Sequence, residues 1–130
     1  NLTTLKVIEH ADTDVVLDLG ESGDTSGDIL TFANPVFNEN DAEQVGTDNG
    51  YCVRIVVGES WYCHFQLFLS DGDMTVDGVF LDSGTSTLDI IGGSGAYFGA
   101  QGNMLLDALN PEGTQYSFVY QIYFEANQTE

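Results

Sequence analysis

Few side chains in this sequence combine chemical reactivity with a position that a fold would bury, and Glu9 is the first of them. Leu5, Val7 and Glu9 alternate with Lys6, Ile8 and His10, a period of two that sets the carboxyl on the same face of a strand as two apolar residues. An inward acid is held protonated by desolvation and suits proton transfer or the polarising of a ligand. A solvated strand end fits the same pattern, and both readings stand at this point. Arg54, the only arginine, shares its parity with Cys52 and Val56. If Cys52 points inward so does Arg54, which then needs a carboxylate such as Glu9; a rim position with only its stem covered is the alternative. Asn34 shares a face with Leu30, Phe32 and Val36, so an interior face obliges its amide to find partners or a ligand.

Cys52 and Cys63 make an even pair at hairpin spacing, which favours a disulfide and an oxidising, extracellular setting over a metal site. If Gly58-Glu59 were a two-residue turn, cross-strand pairs would sum to 117 and the cysteines would lie on a diagonal; a slip of one residue in each strand would bring them opposite. With Cys63 inward, Trp61, Phe65, Leu67 and Leu69 are inward too. His10 and His64 have no ligand spacing with each other or with the cysteines. Asp71, Asp73 and Asp77 lack the spacing of a calcium loop. No metal and no cofactor is expected. Five glycines fall between Gly92 and Gly102. From Gly93 a third glycine comes one place late for a dinucleotide loop, no Gly-Lys-Ser/Thr triplet follows, and the next segment is too short for the helix that motif needs. The stretch is expected to be a corner between two strands, plugged by Tyr97 and Phe98.

The elements that must position these residues are strands. After the Leu5–His10 strand come a turn at Asp12–Asp14, an apolar run at Val15–Leu19, and a Gly/Ser/Asp/Thr loop at Gly20–Gly27 whose composition marks it as mobile. Alternation resumes over Asp28–Phe37, with Pro35 marking an edge, a bulge or a frayed end. Glu43–Val57 is a long strand with an interruption at Asp48-Asn49-Gly50, and Ser60–Ser70 is its hairpin partner. An Asp71-Gly72 turn leads to a strand carrying Met74, Val76, Gly78 and Phe80 on one face. Leu88–Ile91, Asn103–Leu109 and Gln115–Glu125 complete the set, the last with Tyr116, Phe118, Tyr120, Ile122 and Phe124 on one face. About eight β segments with no amphipathic helix predict an all-β fold, an eight-stranded antiparallel barrel whose interior is filled or holds one small ligand.

The chain, 130 residues with 42% hydrophobic content, reads as one β-barrel domain over 1–130. No apolar run is long enough for a membrane helix and no signal segment opens the sequence, although a leader removed on secretion is compatible with that. Twenty-one acids against two bases give a net charge of −19. Nucleic acid and anionic membrane, which both call for basic surface, are disfavoured as partners. Self-repulsion that salt would screen points to a high-salt habitat, with cation binding and a merely acidic secreted surface as the other readings. Two glycosylation sequons, Asn1-Leu2-Thr3 and Asn127-Gln128-Thr129, are weak support for secretion.

Ile8-Glu9, Gly27-Asp28 with Phe32-x-Asn34, Gly50-Tyr51-Cys52-Val53, Asp71-Gly72-x-x-x-Val76-x-Gly78 and Ile91-Gly92-Gly93-Ser94-Gly95-x-Tyr97-x-Gly99-Ala100 together resemble the allene oxide cyclase and dirigent barrels. The last stretch, similar to the GGTGxFxGAxG signature of both groups, is the most specific. The resemblance implies an eight-stranded barrel, often a homotrimer, whose lumen takes an apolar small molecule. In the plant cyclases a glutamate and a bound water act on an epoxide of an unsaturated fatty acid, and Glu9, Phe32, Asn34 and Cys52 match lumen positions there. Phe80 stands where those enzymes carry a tyrosine, and Ala11 where they carry a water-holding asparagine. Three functions follow. The first is a cyclase or isomerase with Glu9, assisted by Arg54, as acid/base or electrostatic group and Phe32, Trp61, Phe65 and Phe80 as the shaping wall. The second is a binder that orients a ligand without chemistry. The third is a secreted, non-catalytic structural subunit with a filled barrel.

Overall fold

Alternating apolar and polar residues keep this chain extended along almost its whole length. The computed structural model describes residues 2–124. It holds ten strands: β1 (Leu2–His10), β2 (Val15–Leu17), β3 (Ile29–Phe32), β4 (Pro35–Phe37), β5 (Gln44–Val56), β6 (Ser60–Leu69), β7 (Gly72–Leu81), β8 (Ser86–Gly95), β9 (Gln101–Ala108) and β10 (Gln115–Tyr123). No helix occurs among the described residues.

Every strand pairing is antiparallel. Around the wall run β1, β10, β9, β8, β7, β6 and β5. β3 and β4 both pair with β5, as two halves of one strand bent at Ala33-Asn34 beside Pro35. β4 pairs in turn with β1, closing an eight-stranded barrel, and β2 adds one further strand outside it on β3. Closure gives the main-chain groups of the wall strands partners that an open sheet would leave unpaired at its edges. Bulges at Val36/Phe37, Arg54/Val56 and Thr75/Val76 supply local bends.

The interior is built by the inward parity of each strand: Val7, Val36, Cys52, Phe65, Leu67, Met74, Val76, Leu88, Met104, Phe118, Tyr120 and Ile122 are all at or below 2% exposure. Each such large side chain contributes roughly 1.5–3 kcal/mol by leaving water. Phe32, Phe65, Phe118 and Tyr120 form a chain of ring contacts with centroids 5.4, 5.5 and 6.4 Å apart in succession, the spacing at which aromatic edges and faces attract.

Three local expectations are corrected, and the open register of the cysteine hairpin is resolved. β5 runs unbroken through Asp48-Asn49-Gly50. Gly50 is there for close approach, since a Cβ on it would lie 2.2 Å from the Phe65 Cβ across the sheet. Cys52 and Cys63 are directly opposite and joined by a disulfide. Ile55 bulges and the turn widens through Val57, with the Glu59 N–H donating to the Val56 carbonyl at 3.0 Å, so the slip that sets the two cysteines opposite is built into the hairpin. The glycine-rich stretch is mostly strand: β8 continues through Gly92 and Gly93 to Gly95, and only residues 96–100 turn. Tyr97 packs against the core while Phe98 is exposed, so a single aromatic plugs the corner. Finally, the Gly20–Gly27 loop is pinned. Buried Asp28 accepts from the Leu19 and Thr25 N–H groups at 2.9 and 3.1 Å, which holds its carboxyl below the usual carboxylate range.

Candidate functional site

The lumen is open at the end where β1 finishes and β10 begins. A cavity there has a volume of about 60 Å³ and opens to solvent at its mouth. Its wall is aromatic and aliphatic: Phe32 from β3, Phe65 from β6, Phe80 from β7, and Tyr116 and Phe118 from β10, with the Cys52–Cys63 bridge among them. Its polar side chains, besides the Tyr116 hydroxyl, are two carboxyls, Glu9 and Asp14.

Glu9 is the next-to-last residue of β1 and is 6% exposed, so the inward reading of the alternation holds. Asn34 stands behind it. The Asn34 Nδ2 group donates to Glu9 Oε2 at 3.1 Å and to Asp14 Oδ1 at 2.8 Å, while its Oδ1 accepts from the Thr13 N–H and hydroxyl, both at 2.8 Å. Both donors and both lone pairs of the amide are thus used. Asn34 fixes the two carboxyls and keeps no hydrogen-bonding capacity for a ligand.

Asp48 is the third acid. It lies 1% exposed on β5, its Oδ1 accepts from the Asn34 backbone N–H at 3.1 Å, and its carboxyl lies close enough to that of Glu9 to raise it. Asp48 Oδ2 has no N–H or O–H partner among the described residues, so a proton carried by Glu9 is the donor available to this carboxyl. Two buried carboxyls in contact cannot both ionise cheaply. Burial, followed by the Asp48 hydrogen bond and charge, pushes Glu9 well above the ordinary range; burial pushes Asp48 up to about 6. Of the two, Glu9 keeps its proton to the higher pH, held against the Asp48 carboxylate behind it. The fully buried Tyr120 hydroxyl has no hydrogen-bond partner among the described residues, and burial followed by the Asp48 and Glu9 charges raises it far above its usual value. Such an arrangement can donate a hydrogen bond or a proton to an oxygen on a ligand in a water-poor pocket.

The structure divides the residues singled out from sequence. Glu9, Phe32, Phe65, Phe80 and Cys52–Cys63 meet at the cavity, and Asn34 supports them. Arg54 is buried at 5% exposure but does not meet Glu9. Its guanidinium is gripped by Asp24, at 2.9 and 2.7 Å, and by Asp82, at 2.6 and 2.9 Å, with the Ser60 carbonyl at 3.4 Å. It stacks over Trp61 at 4.6 Å. Arg54 is therefore a clamp between the β2–β3 loop and the β7–β8 turn, and Trp61 is its platform rather than cavity wall. Asp48, Asp14 and Tyr116 were not singled out as site residues. The inward parity of Cys52 carries back through Gly50 to Asp48, the signal by which Asp48 was legible; Asp14 sits in a turn whose path no pattern specifies. Among the described residues no group of three or more His, Cys, Asp or Glu is arranged to hold a metal ion.

Solved structures similar to this one include that of pyocyanin demethylase, with a TM-score of 0.81 at 20% identity, covering 93% of this chain and 100% of that one. The pterocarpan synthase dirigent protein PsPTS1 gives a TM-score of 0.76 at 17% identity, with 97% of each chain covered. The Diels-Alderase AbmU from Streptomyces koyangensis gives 0.74 at 19% identity, covering 95% of this chain and 69% of that one. At these identities the likeness is one of fold. Residues 6–120 match the family model described as the allene oxide cyclase barrel like domain, and the chain belongs to that family.

Proposed function

We propose that the barrel binds an apolar small molecule in its lumen and guides a cyclisation of it, with Glu9 as hydrogen-bond or proton donor and Phe32, Phe65 and Phe80 as walls that fix the reacting conformer. The observation that carries this reading is a buried carboxyl, pushed toward its protonated form by burial and by Asp48, in the wall of an open aromatic cavity. Positioning within rigid walls lowers a barrier by restricting approach, and a fixed donor lowers it by meeting charge as it develops. The Diels-Alderase and the dirigent protein among the fold neighbours lend the same direction. The acidic, disulfide-bonded chain suits an extracellular setting. Assembly into a homo-oligomer, a trimer by family resemblance, is favoured by an outward apolar row across five strands, Leu17, Ile29, Val53, Tyr62 and Val79.

The test is a screen of polyene, terpenoid and aromatic ligands followed by turnover with Glu9→Gln on any hit. A loss of about 10²-fold or more in kcat, with binding retained, is the expected result for a general acid. Equal rates would leave a barrel that orients its ligand without proton transfer, and no hit at all would count against lumen binding.

A further inference from the structure

The positive charges of this chain are too few, and too fully committed, to receive an anionic ligand. Lys6 and Arg54 are the only lysine and arginine. Lys6 has the parity of β1 opposite to Glu9 and so points away from the lumen. Arg54 has all five N–H groups taken up by Asp24, Asp82 and the Ser60 carbonyl. His10 and His64 are bound to Asp41 and Asp77 at 2.7 and 3.1 Å, and neither lines the cavity.

Acids, in contrast, surround the way in. Asp14 lies at the mouth and Asp48 behind Glu9. A polar groove holding Asp107, and Asp82 in its pair with Arg54, adjoins the mouth and shares Phe80 and Tyr116 with the cavity. The wall itself offers aromatic rings, Phe32, Phe65, Phe80, Tyr116 and Phe118, whose faces attract cations and tolerate neutral groups. Resting on the lumen-binding reading above, we propose that this site takes neutral or cationic apolar ligands, such as aromatic amines or uncharged polycycles, and rejects carboxylates, including a free fatty acid. A carboxylate held about 6 Å from one uncompensated acid, at an effective dielectric near 20, loses roughly 100-fold in affinity against its neutral analogue. Partial solvation at the mouth reduces that to about tenfold or more.

The test uses three ligands on one bicyclic frame: 2-naphthylmethylamine, 2-naphthylmethanol and 2-naphthoate. Each is titrated calorimetrically into the whole protein at pH 7.5, in 0.1 M and in 2 M KCl. The amine and alcohol are expected to bind, with naphthoate at least about tenfold weaker at 0.1 M. The gap should narrow at 2 M, where the Debye length is about 3 Å or less, and in Asp14→Asn at 0.1 M. The salt comparison needs no variant and so stands even if Asp14→Asn folds poorly. Naphthoate binding as tightly as the alcohol overturns the charge selection while leaving lumen binding intact. Failure of all three to bind a folded protein overturns the lumen-binding reading, and this inference with it.

Discussion

A proton kept on Glu9 makes the folded protein sensitive to pH in an unusual sense. Glu9 and Asp48 both titrate above their ordinary range when folded, so the folded state binds protons more tightly than the unfolded one across weakly acidic pH. Their contribution is present in full below the unfolded pKa and is lost as pH rises through the folded values. For Asp48, raised from 3.8 to about 6, the loss is on the order of 3 kcal/mol, most of it between pH 4 and pH 6. Asp24 and Asp28 are shifted down and act in the opposite sense, but at more acid pH. Urea unfolding of the wild type is therefore expected to give falling stability from pH 4 to pH 7, and Asp48→Asn to flatten the decline; equal slopes would refute the shared-proton pair. At this scale the sequence was partly legible. The parity of Leu5, Val7 and Glu9 gave the acid its inward face, because a strand offers each residue only two directions. It could not give Arg54 its partners, which arrive from a loop and a turn 30 and 28 residues away.

Strands, once closed into a barrel, turn residue choice into a question of clearance. In β8 the Gly92 position has open space, with nothing within 4 Å of an added Cβ, while a Cβ at Gly93 would fall 2.4 Å from the Tyr97 carbonyl oxygen and 2.9 Å from that of Asp73. Backbone atoms cannot yield as a flexible side chain does, so Gly93→Ala is expected to cost about 1–3 kcal/mol. Gly92→Ala is expected to lie within about 1 kcal/mol of wild type. Thermal unfolding of the two variants side by side checks this, and an equal effect would mean that the glycines are not there for clearance. In the β5–β6 hairpin, the bridge closes a loop with a sequence separation of 11, for which chain entropy gives roughly 3 kcal/mol. Replacing both cysteines by Ala should cost about that much in denaturant unfolding, and thiol titration of the unfolded, unreduced protein should find no reactive thiols. The hairpin was legible down to the pair that bonds but not to its register, because the Ile55 bulge is a property of the closing wall rather than of the local sequence. The glycine-rich stretch was legible as a family signature and as a corner plugged by Tyr97, but the corner is confined to residues 96–100. Glycine density marks positive φ and close approach alike, and only the neighbouring strands tell them apart.

For the molecule as a whole, net charge sets the conditions under which the barrel is stable. A domain of this length has a radius of gyration of roughly 14 Å, so at 0.01 M salt, with a Debye length of about 30 Å, nearly every one of the 21 acids feels the others. At 1 M the length is about 3 Å, and only close neighbours interact. The unfolded chain, with a radius nearer 35–40 Å by the same scaling, spreads its charge and loses less to repulsion. The Arg54 clamp survives screening better than exposed pairs because its guanidinium is buried. The melting temperature is thus expected to rise by several degrees or more from 0.01 M to 1 M KCl. General strengthening of apolar burial by salt would produce a rise as well, so the origin is decided by charge removal. Changing exposed Glu39, Glu43, Glu59 and Glu112 to Gln should raise the low-salt melting temperature and shrink the gain from KCl. If the fourfold variant keeps the full gain, repulsion is not its source, and the acidic surface has to be explained by what it binds rather than by the salt it tolerates.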